Sequence, residues 1–198
     1  MKKILVIHNK YQETGGEDIS VMEEIKFLNK NFIFEKLIFS NKIDNFLSQI
    51  FYFLINKNLK SMKSLRKILN EFNPDFVYIH NSWYKASLGI FSVLKQYDAK
   101  IIVKLHNFRY FCTKSYLQKN HFSQSNFCQG CGNKKSKIIL NKYFKNSWIR
   151  SILISRYGNK YFKILKESDL KIVVLTNFHK QFLVDENFNR EKIYVCNN

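Results

Sequence analysis

No stretch constrains this chain more than Met1 to Lys30. Lys3 to His8 (KILVIH) is a short apolar run of the kind required of a parallel strand buried on both faces. The loop Asn9 to Gly16 (NKYQETGG) follows and carries two adjacent glycines. From Glu17 the pattern changes: Ile19, Met22, Ile25 and Phe27/Leu28 recur at three- and four-residue spacing around Glu23, Glu24 and Lys26. That is the period of an amphipathic helix. Strand, glycine loop and helix in this order aim free backbone N–H groups and the positive end of a helix at an anion. Glycines tolerate positive φ and put no Cβ in a ligand's way. The spacing is neither Gly-x-Gly-x-x-Gly nor a Walker loop, since no Gly-Lys-Ser/Thr follows. Gly15-Gly16 therefore reads either as an anion-facing loop or as a plain turn, with Glu17 and Asp18 in the first helical turn.

The alternation continues down the chain. Phe32 to Phe39 reads as a second strand, and Asn41 to Phe72 is helical by period with a break at Asn56-Lys57-Asn58. Asn73-Pro74-Asp75 stops that helix, because the residue before proline is pushed out of the α region. Phe76 to His80, Lys100 to Leu105, Ile172 to Leu175 and Lys192 to Cys196 read as further strands. Helices are expected near Leu88 to Tyr97, over Ile138 to Lys166 and over Asn177 to Asp185. The fold class is α/β, a Rossmann-like parallel sheet with helices on both faces. In such sheets ligands bind beyond the carboxyl ends of the strands. That rule selects His8, Asn9, the glycine loop, His80, Asn81, His106 and Asn107, and it gathers three of the chain's five histidines at three strand ends.

At 198 residues, with 45% apolar and 16% aromatic content, the chain fits one globular domain that buries roughly 70% of its unfolded surface. No apolar run approaches the roughly 18 residues of a spanning helix. Met1-Lys2-Lys3 leads into a strand rather than a secretory signal, so a cytoplasmic location is expected. The net charge of +18 comes mostly from lysine, in a composition rich in Asn, Ile and Phe. AT-rich codon usage accounts for part of that bias. A positive surface still attracts phosphates and anionic lipid. Few arginines and no recognisable module argue against nucleic acid. From Lys134 to Lys166 a basic stretch sets Lys137, Lys142, Lys145, Arg150, Arg156, Lys160, Lys163 and Lys166 among Ile152, Leu153, Tyr157 and Phe162. It reads either as a membrane-surface helix or as a core-facing helix with a solvated face, and the first reading would place the protein peripherally at the inner face of the membrane.

Cys128-Gln-Gly-Cys131 has metal-knuckle spacing, with Cys112 and His121 upstream. Structural zinc takes four ligands, and this set offers three thiols and an imidazole. Zinc and reduced thiols both fit a cytoplasmic chain, and a disulfide fits it less well.

HNKYQETGGED (His8 to Asp18), PDFVYIHNSW (Pro74 to Trp83) and KLHNFRYFC (Lys104 to Cys112) together resemble the amino-terminal domain of family 4 retaining glycosyltransferases of the GT-B fold. More narrowly they resemble a bacterial subgroup with an inserted cysteine loop after the fourth strand. The resemblance covers nearly the whole chain, residues 1–198, with the insertion at about residues 107–136. It implies transfer of a sugar from a nucleotide-sugar to a glycan or lipid-linked acceptor in surface polysaccharide synthesis. It implies that Gly15, Gly16 and Glu17 form the donor-phosphate loop and that His106 is the catalytic histidine beside the transferred sugar. His8, Asn9, His80, Asn81, Asn107 and Arg109 would line the acceptor side. No cofactor is implied for catalysis, and a structural zinc on Cys112, His121, Cys128 and Cys131 is the one metal expected. The chain departs from the subgroup at Tyr143-Phe144-Lys145, where a further cysteine is usual. It reaches Val195-Cys196-Asn197-Asn198 where the family crosses into its donor domain. The expectation is half an enzyme that needs a separately encoded second domain and is inactive alone. The alternatives are a non-catalytic sugar- or lipid-binding remnant and a basic zinc or nucleic-acid module.

Overall fold

The computed structural model describes residues 1–11, 15–41, 51–52, 54–107 and 148–197. The chain divides into two compact units, one of residues 1–106 with 166–198 and one of residues 107–165. In chain order the elements are β1 (Lys3–Lys10), α1 (Gly16–Asn31), β2 (Ile33–Ser40), α2 (Leu59–Phe72), β3 (Phe76–Ile79) and α3 (Gly89–Leu94). They continue with β4 (Lys100–Leu105), α4 (Trp148–Glu167), β5 (Leu170–Val174), α5 (Asn177–Asp185), a 3-10 turn (Arg190–Lys192) and β6 (Ile193–Val195).

The sheet is six-stranded and entirely parallel, in the order β2-β1-β3-β4-β5-β6. It is the Rossmann-like α/β fold that the apolar runs predict. The order reverses once, because β1 steps outward to β2 and the chain then returns past β1 to β3. Right-handed crossovers accordingly put α1 and α2 on opposite faces. Ile4, Leu5, Val6 and Ile7 are all buried, as expected for a central strand covered on both faces.

On one face Val6 packs with Val21 and Ile25 of α1, flanked by Leu28, Phe34, Ile38 and Tyr78. This corrects the helical face expected from the sequence. Ile25 and Leu28 face inward as expected, but Ile19 and Phe27 are 60% and 64% exposed, and Asp18 and Val21 turn inward in place of Ile19 and Met22. The reason is electrostatic: turning Asp18 inward lets its carboxylate meet His8 at 2.7 Å.

α2 begins at Asn58, whose side-chain oxygen accepts from the Lys60 and Ser61 amides. It ends on Asn73 in the left-handed region, with φ of 46°, immediately before Pro74. Asp75 then ties the start of β3 to that of β1 by accepting from the Lys3 amide at 2.7 Å and the Lys2 ammonium at 2.9 Å. The helix expected to begin at Asn41 does not begin there, since Asn41 is buried coil and residues 42–50 lie outside the described residues. Likewise α4 is described from Trp148, and the expected residues 138–147 lie outside. Within α4, Tyr157 and Phe162 are buried, so of the apolar positions proposed for a membrane face only Ile152 is exposed beside Arg156, Lys160 and Lys163. No helix among the described residues is long and apolar enough to cross a membrane.

α2 packs on α3, and Gly89 makes that approach possible. A Cβ at Gly89 would lie 2.7 Å from the Met62 sulfur. Gly89→Val is expected to overpack this contact and cost about 1–3 kcal/mol, read as a lower midpoint in urea unfolding. An unchanged midpoint would mean that α2 and α3 yield freely at this point.

Candidate functional site

Successive residues at a strand end point to opposite faces of the sheet, so His8 and Asn9 found two separate clusters.

Asn9 belongs to the first. Its amide nitrogen donates to the Asn41 side-chain oxygen at 2.7 Å, and its own oxygen accepts from the Lys85 and Ala86 amides at 3.0 and 2.9 Å. Asn81 donates to the Asn9 carbonyl and accepts from the Trp83 amide. Asn41 closes the set on the Trp83 carbonyl and the Tyr84 amide. These three asparagines brace the loop after β3, which contains a cis peptide between Trp83 and Tyr84. Asn9 and Asn81, expected on the acceptor side, are both buried, with their side-chain oxygens accepting from the loop and their amide nitrogens bonded to Asn41 and to β1.

The second cluster lies beneath α1. His8 Nε2 meets Asp18 Oδ1, and Asp18 Oδ2 accepts the Gly15 N–H at 3.0 Å. Asp18 is the third helical residue reaching back to the N-cap, half of a capping box. Burial pushes the His8 pKa down against the opposing pull of Asp18. We read the contact as a neutral imidazole donating to a carboxylate rather than as an ion pair.

A turn further along α1, Glu24 accepts from the Tyr78 hydroxyl at 2.9 Å and from the Lys104 ammonium. Lys104 is 1% exposed in the middle of an apolar strand. A buried lysine needs an anionic partner within reach, and Glu24 is that partner. The same carboxylate lies 3.9 Å from Nε2 of His80. Nδ1 of His80 meets Nε2 of His106 at 3.1 Å, and the His8 and His80 rings are 6.2 Å apart, edge to face. Two hydrogen-bonded groups, Gly15–Asp18–His8 and His80–His106, thus meet through the edge-to-face contact of His8 and His80. Burial holds His80 well below the ordinary histidine range, and burial, with Lys104 and His8 adding to it, lowers His106 to about 4. Both rings are neutral at pH 7. Burial and the Glu24 charge raise Tyr78 above the ordinary tyrosine range, so it stays a donor.

Of the expected site residues, His8, His80, His106 and Gly15 are brought together. Gly15 is an extended N-cap with φ of −109°, and Gly16 is the first helical residue. Neither uses the positive φ that glycine tolerates, and a Cβ on either would meet nothing within 4 Å among the described residues. Glu17 is helical rather than part of the loop, and it accepts from the Tyr11 hydroxyl. Asn107 is exposed and falls in the other unit. Arg109, Cys112, His121, Cys128 and Cys131 lie outside the described residues, among which no group of three or more His, Cys, Asp or Glu could hold a metal ion. Asp18, Glu24, Tyr78, Lys104 and Asn41 were missed. Lys104 carried a usable signal, a charge inside the apolar run KIIVKL. Asp18 carried a weaker one, its capping-box position. Nothing in the sequence marks Asn41.

No family model and no curated protein matches this chain. Solved structures similar to it include an F420 dependent methylene-tetrahydromethanopterin dehydrogenase in complex with methylene-tetrahydromethanopterin and coenzyme F420. That likeness has 11% identity and a TM-score of 0.38, over 93% of this chain and 66% of that one, so this chain spans under two thirds of the dehydrogenase's length. The trehalose repressor of Escherichia coli is similar at 7% identity and a TM-score of 0.35, over 95% of this chain and 85% of that one. A LacI family regulator, CCPA of Weissella paramesenteroides with bound glucose, is similar at 7% identity and a TM-score of 0.35, over 96% and 78%.

Buried neutral histidines make stability depend on pH. His106 and His179 both have folded pKa values of about 4, lowered from 6.5 by burial. Between those values the unfolded chain binds more protons than the folded one, so stability is full above pH 6.5 and falls as pH drops toward 4. The urea midpoint is expected to fall across that window, and less steeply in His106→Asn/His179→Gln. A flat profile from pH 7 to about 4 would contradict the burial of these rings.

Proposed function

We propose that this chain is the acceptor-side domain of a retaining glycosyltransferase, moving a sugar from a nucleotide-sugar to a glycan or lipid-linked acceptor in bacterial surface polysaccharide synthesis. One observation carries the reading. The three stretches that resemble the family end β1, β3 and β4 and bring together their three histidines: His80 and His106 share a hydrogen bond, His8 lies edge to face with His80, and His8 meets Asp18, which accepts from the glycine loop.

The chemistry fits these groups. Retaining transfer must stabilise charge developing on the sugar and on the departing diphosphate. The first amides of a helix have no intrahelical partner. Asp18 takes the Gly15 N–H, and the Gly16 amide, in the first turn of the helix, is the donor proposed for a phosphate oxygen. Neither glycine is required by packing or by backbone conformation. A side chain there is excluded, on this reading, by what approaches from outside. His106 is half-buried and neutral, so its role is a hydrogen bond to a sugar hydroxyl rather than a countercharge to phosphate. A second, donor-side domain supplies the remaining contacts to the nucleotide, and catalysis needs no divalent metal. The cysteine loop of Cys112, His121, Cys128 and Cys131 holds a structural zinc, and the basic surface holds the protein at the cytoplasmic face of an anionic membrane.

Titration of the 198-residue chain with UDP, GDP and their sugars, followed by NMR shifts, tests the proposal. One loop is expected to bind the diphosphate at about millimolar, a free energy of about 4 kcal/mol. Gly16→Val should remove this binding while leaving the melting temperature unchanged or higher. His106→Ala should weaken the nucleotide-sugars and spare the bare diphosphates. A folded Gly16→Val that binds like wild type would overturn the assignment, as would a wild type that binds none of the nucleotides.

A further inference from the structure

We infer that Glu24, on α1, is a positioning residue that fixes the tautomers of the His80–His106 pair, leaving Nδ1 of His106 as a hydrogen-bond acceptor for an O–H or N–H group of a ligand. The inference rests on the proposed function only in taking His106 as the residue that meets the ligand. The tautomers themselves are a property of the unliganded chain.

Two neutral imidazoles that share one hydrogen bond have two arrangements, since either ring can be the donor. His80 Nδ1 and His106 Nε2 are 3.1 Å apart, so one nitrogen carries the proton and the other the lone pair. The choice propagates. If His80 donates from Nδ1, its Nε2 is a lone pair and His106 carries its proton on Nδ1. If His106 donates from Nε2, His80 carries its proton on Nε2 and the lone pair of His106 is on Nδ1.

Glu24 breaks the tie. Its Oε2 lies 3.9 Å from His80 Nε2, and the His80 side chain is fully buried. This is longer than a hydrogen bond, so the carboxylate acts through its field, which is weakly screened at a buried site. A lone pair on Nε2 facing that carboxylate is repelled, and an N–H there is attracted. The proton therefore sits on Nε2 of His80, Nδ1 accepts from His106, and the lone pair passes to Nδ1 of His106.

The surroundings hold this arrangement. Tyr78 donates to the same Glu24 oxygen at 2.9 Å, and its ring stacks against His80 with centroids 4.3 Å apart. Lys104 engages the other oxygen, Oε1. Its charge lowers the affinity of both imidazoles for a second proton. His8, on β1, meets Asp18 and lies edge to face with His80, and it too lowers the affinity of both imidazoles for a second proton. With both rings neutral, His106 offers an outward acceptor. That selects a hydroxyl or amide of a ligand over an anionic oxygen.

The measurement is long-range 1H–15N correlation NMR of the histidine rings in the uniformly labelled 198-residue chain, at pH 7 and without any nucleotide-sugar. His80 and His106 are both expected as Nε2–H tautomers. Glu24→Gln should lower the ratio of Nε2–H to Nδ1–H at His106 by about tenfold or more, the scale of one unit charge at this distance in a partly buried site. Because that variant leaves the Lys104 charge without its partner, Glu24→Leu/Lys104→Met removes both charges and should show the same fall. His106 as the Nδ1–H tautomer in the wild type overturns the inference, and so does an unchanged ratio in either folded variant. Should neither variant fold, the wild-type tautomers decide. Because no sugar nucleotide is present, failure of the glycosyltransferase reading leaves this result standing, and the reverse also holds.

Discussion

The ion pair between Lys104 and Glu24 holds this end of the domain together. It joins the fourth strand to the first helix beneath the strand ends, with the lysine 1% exposed. Burying two charges is costly, and their attraction repays it only when each finds further hydrogen bonds. Glu24 finds one from Tyr78, and the helix is thereby tied to β3 and β4 at once. Removing Glu24 would take its carboxylate away from the buried lysine, a destabilising change. The position of α1, of the glycine loop at its start and of the histidines beneath it all depend on this pair.

The two faces of the sheet do different work from adjacent residues. His8 turns toward α1 and joins the titratable line, whereas Asn9 turns the other way and braces the loop after β3. Asparagine suits that task because it carries donors and an acceptor on one short side chain, enough to bond a side chain and two backbone amides. The loop beginning at Asn81 is thus anchored from β1 and from Asn41. A ligand approaching the strand ends would meet a scaffold already satisfied on this side and an open glycine edge on the other.

Much of this was legible in the linear sequence. All six strands were located within a few residues, since a run such as KILVIH or KIIVKL has no other way to bury its apolar side chains on both faces. The stop at Asn73-Pro74 and the histidines at three strand ends followed from local chemistry and the direction of a parallel sheet. The inward face of α1 was read correctly at Ile25 and Leu28 and misread over its first turns, because apolar periodicity assumes that only apolar residues turn inward. Here Asp18 and Glu24 turn inward to meet His8 and Lys104, and Ile19 and Phe27 are left exposed. The glycine pair read either as an anion-facing loop or as a plain turn, and it forms the N-cap and first residue of α1 without positive φ.

The sequence by itself determined the fold class and the end of the sheet where a ligand would sit. Both are set by interactions local in the chain or by a handedness shared by all L-polypeptides. The tertiary structure alone decided which polar residues are partners. Glu24 and Lys104 are 80 residues apart, and Asn9 and Ala86 are 77 apart. No periodicity links such positions. Their pairing follows from burial, because a polar group removed from water must bond to whatever polar group the packing brings beside it.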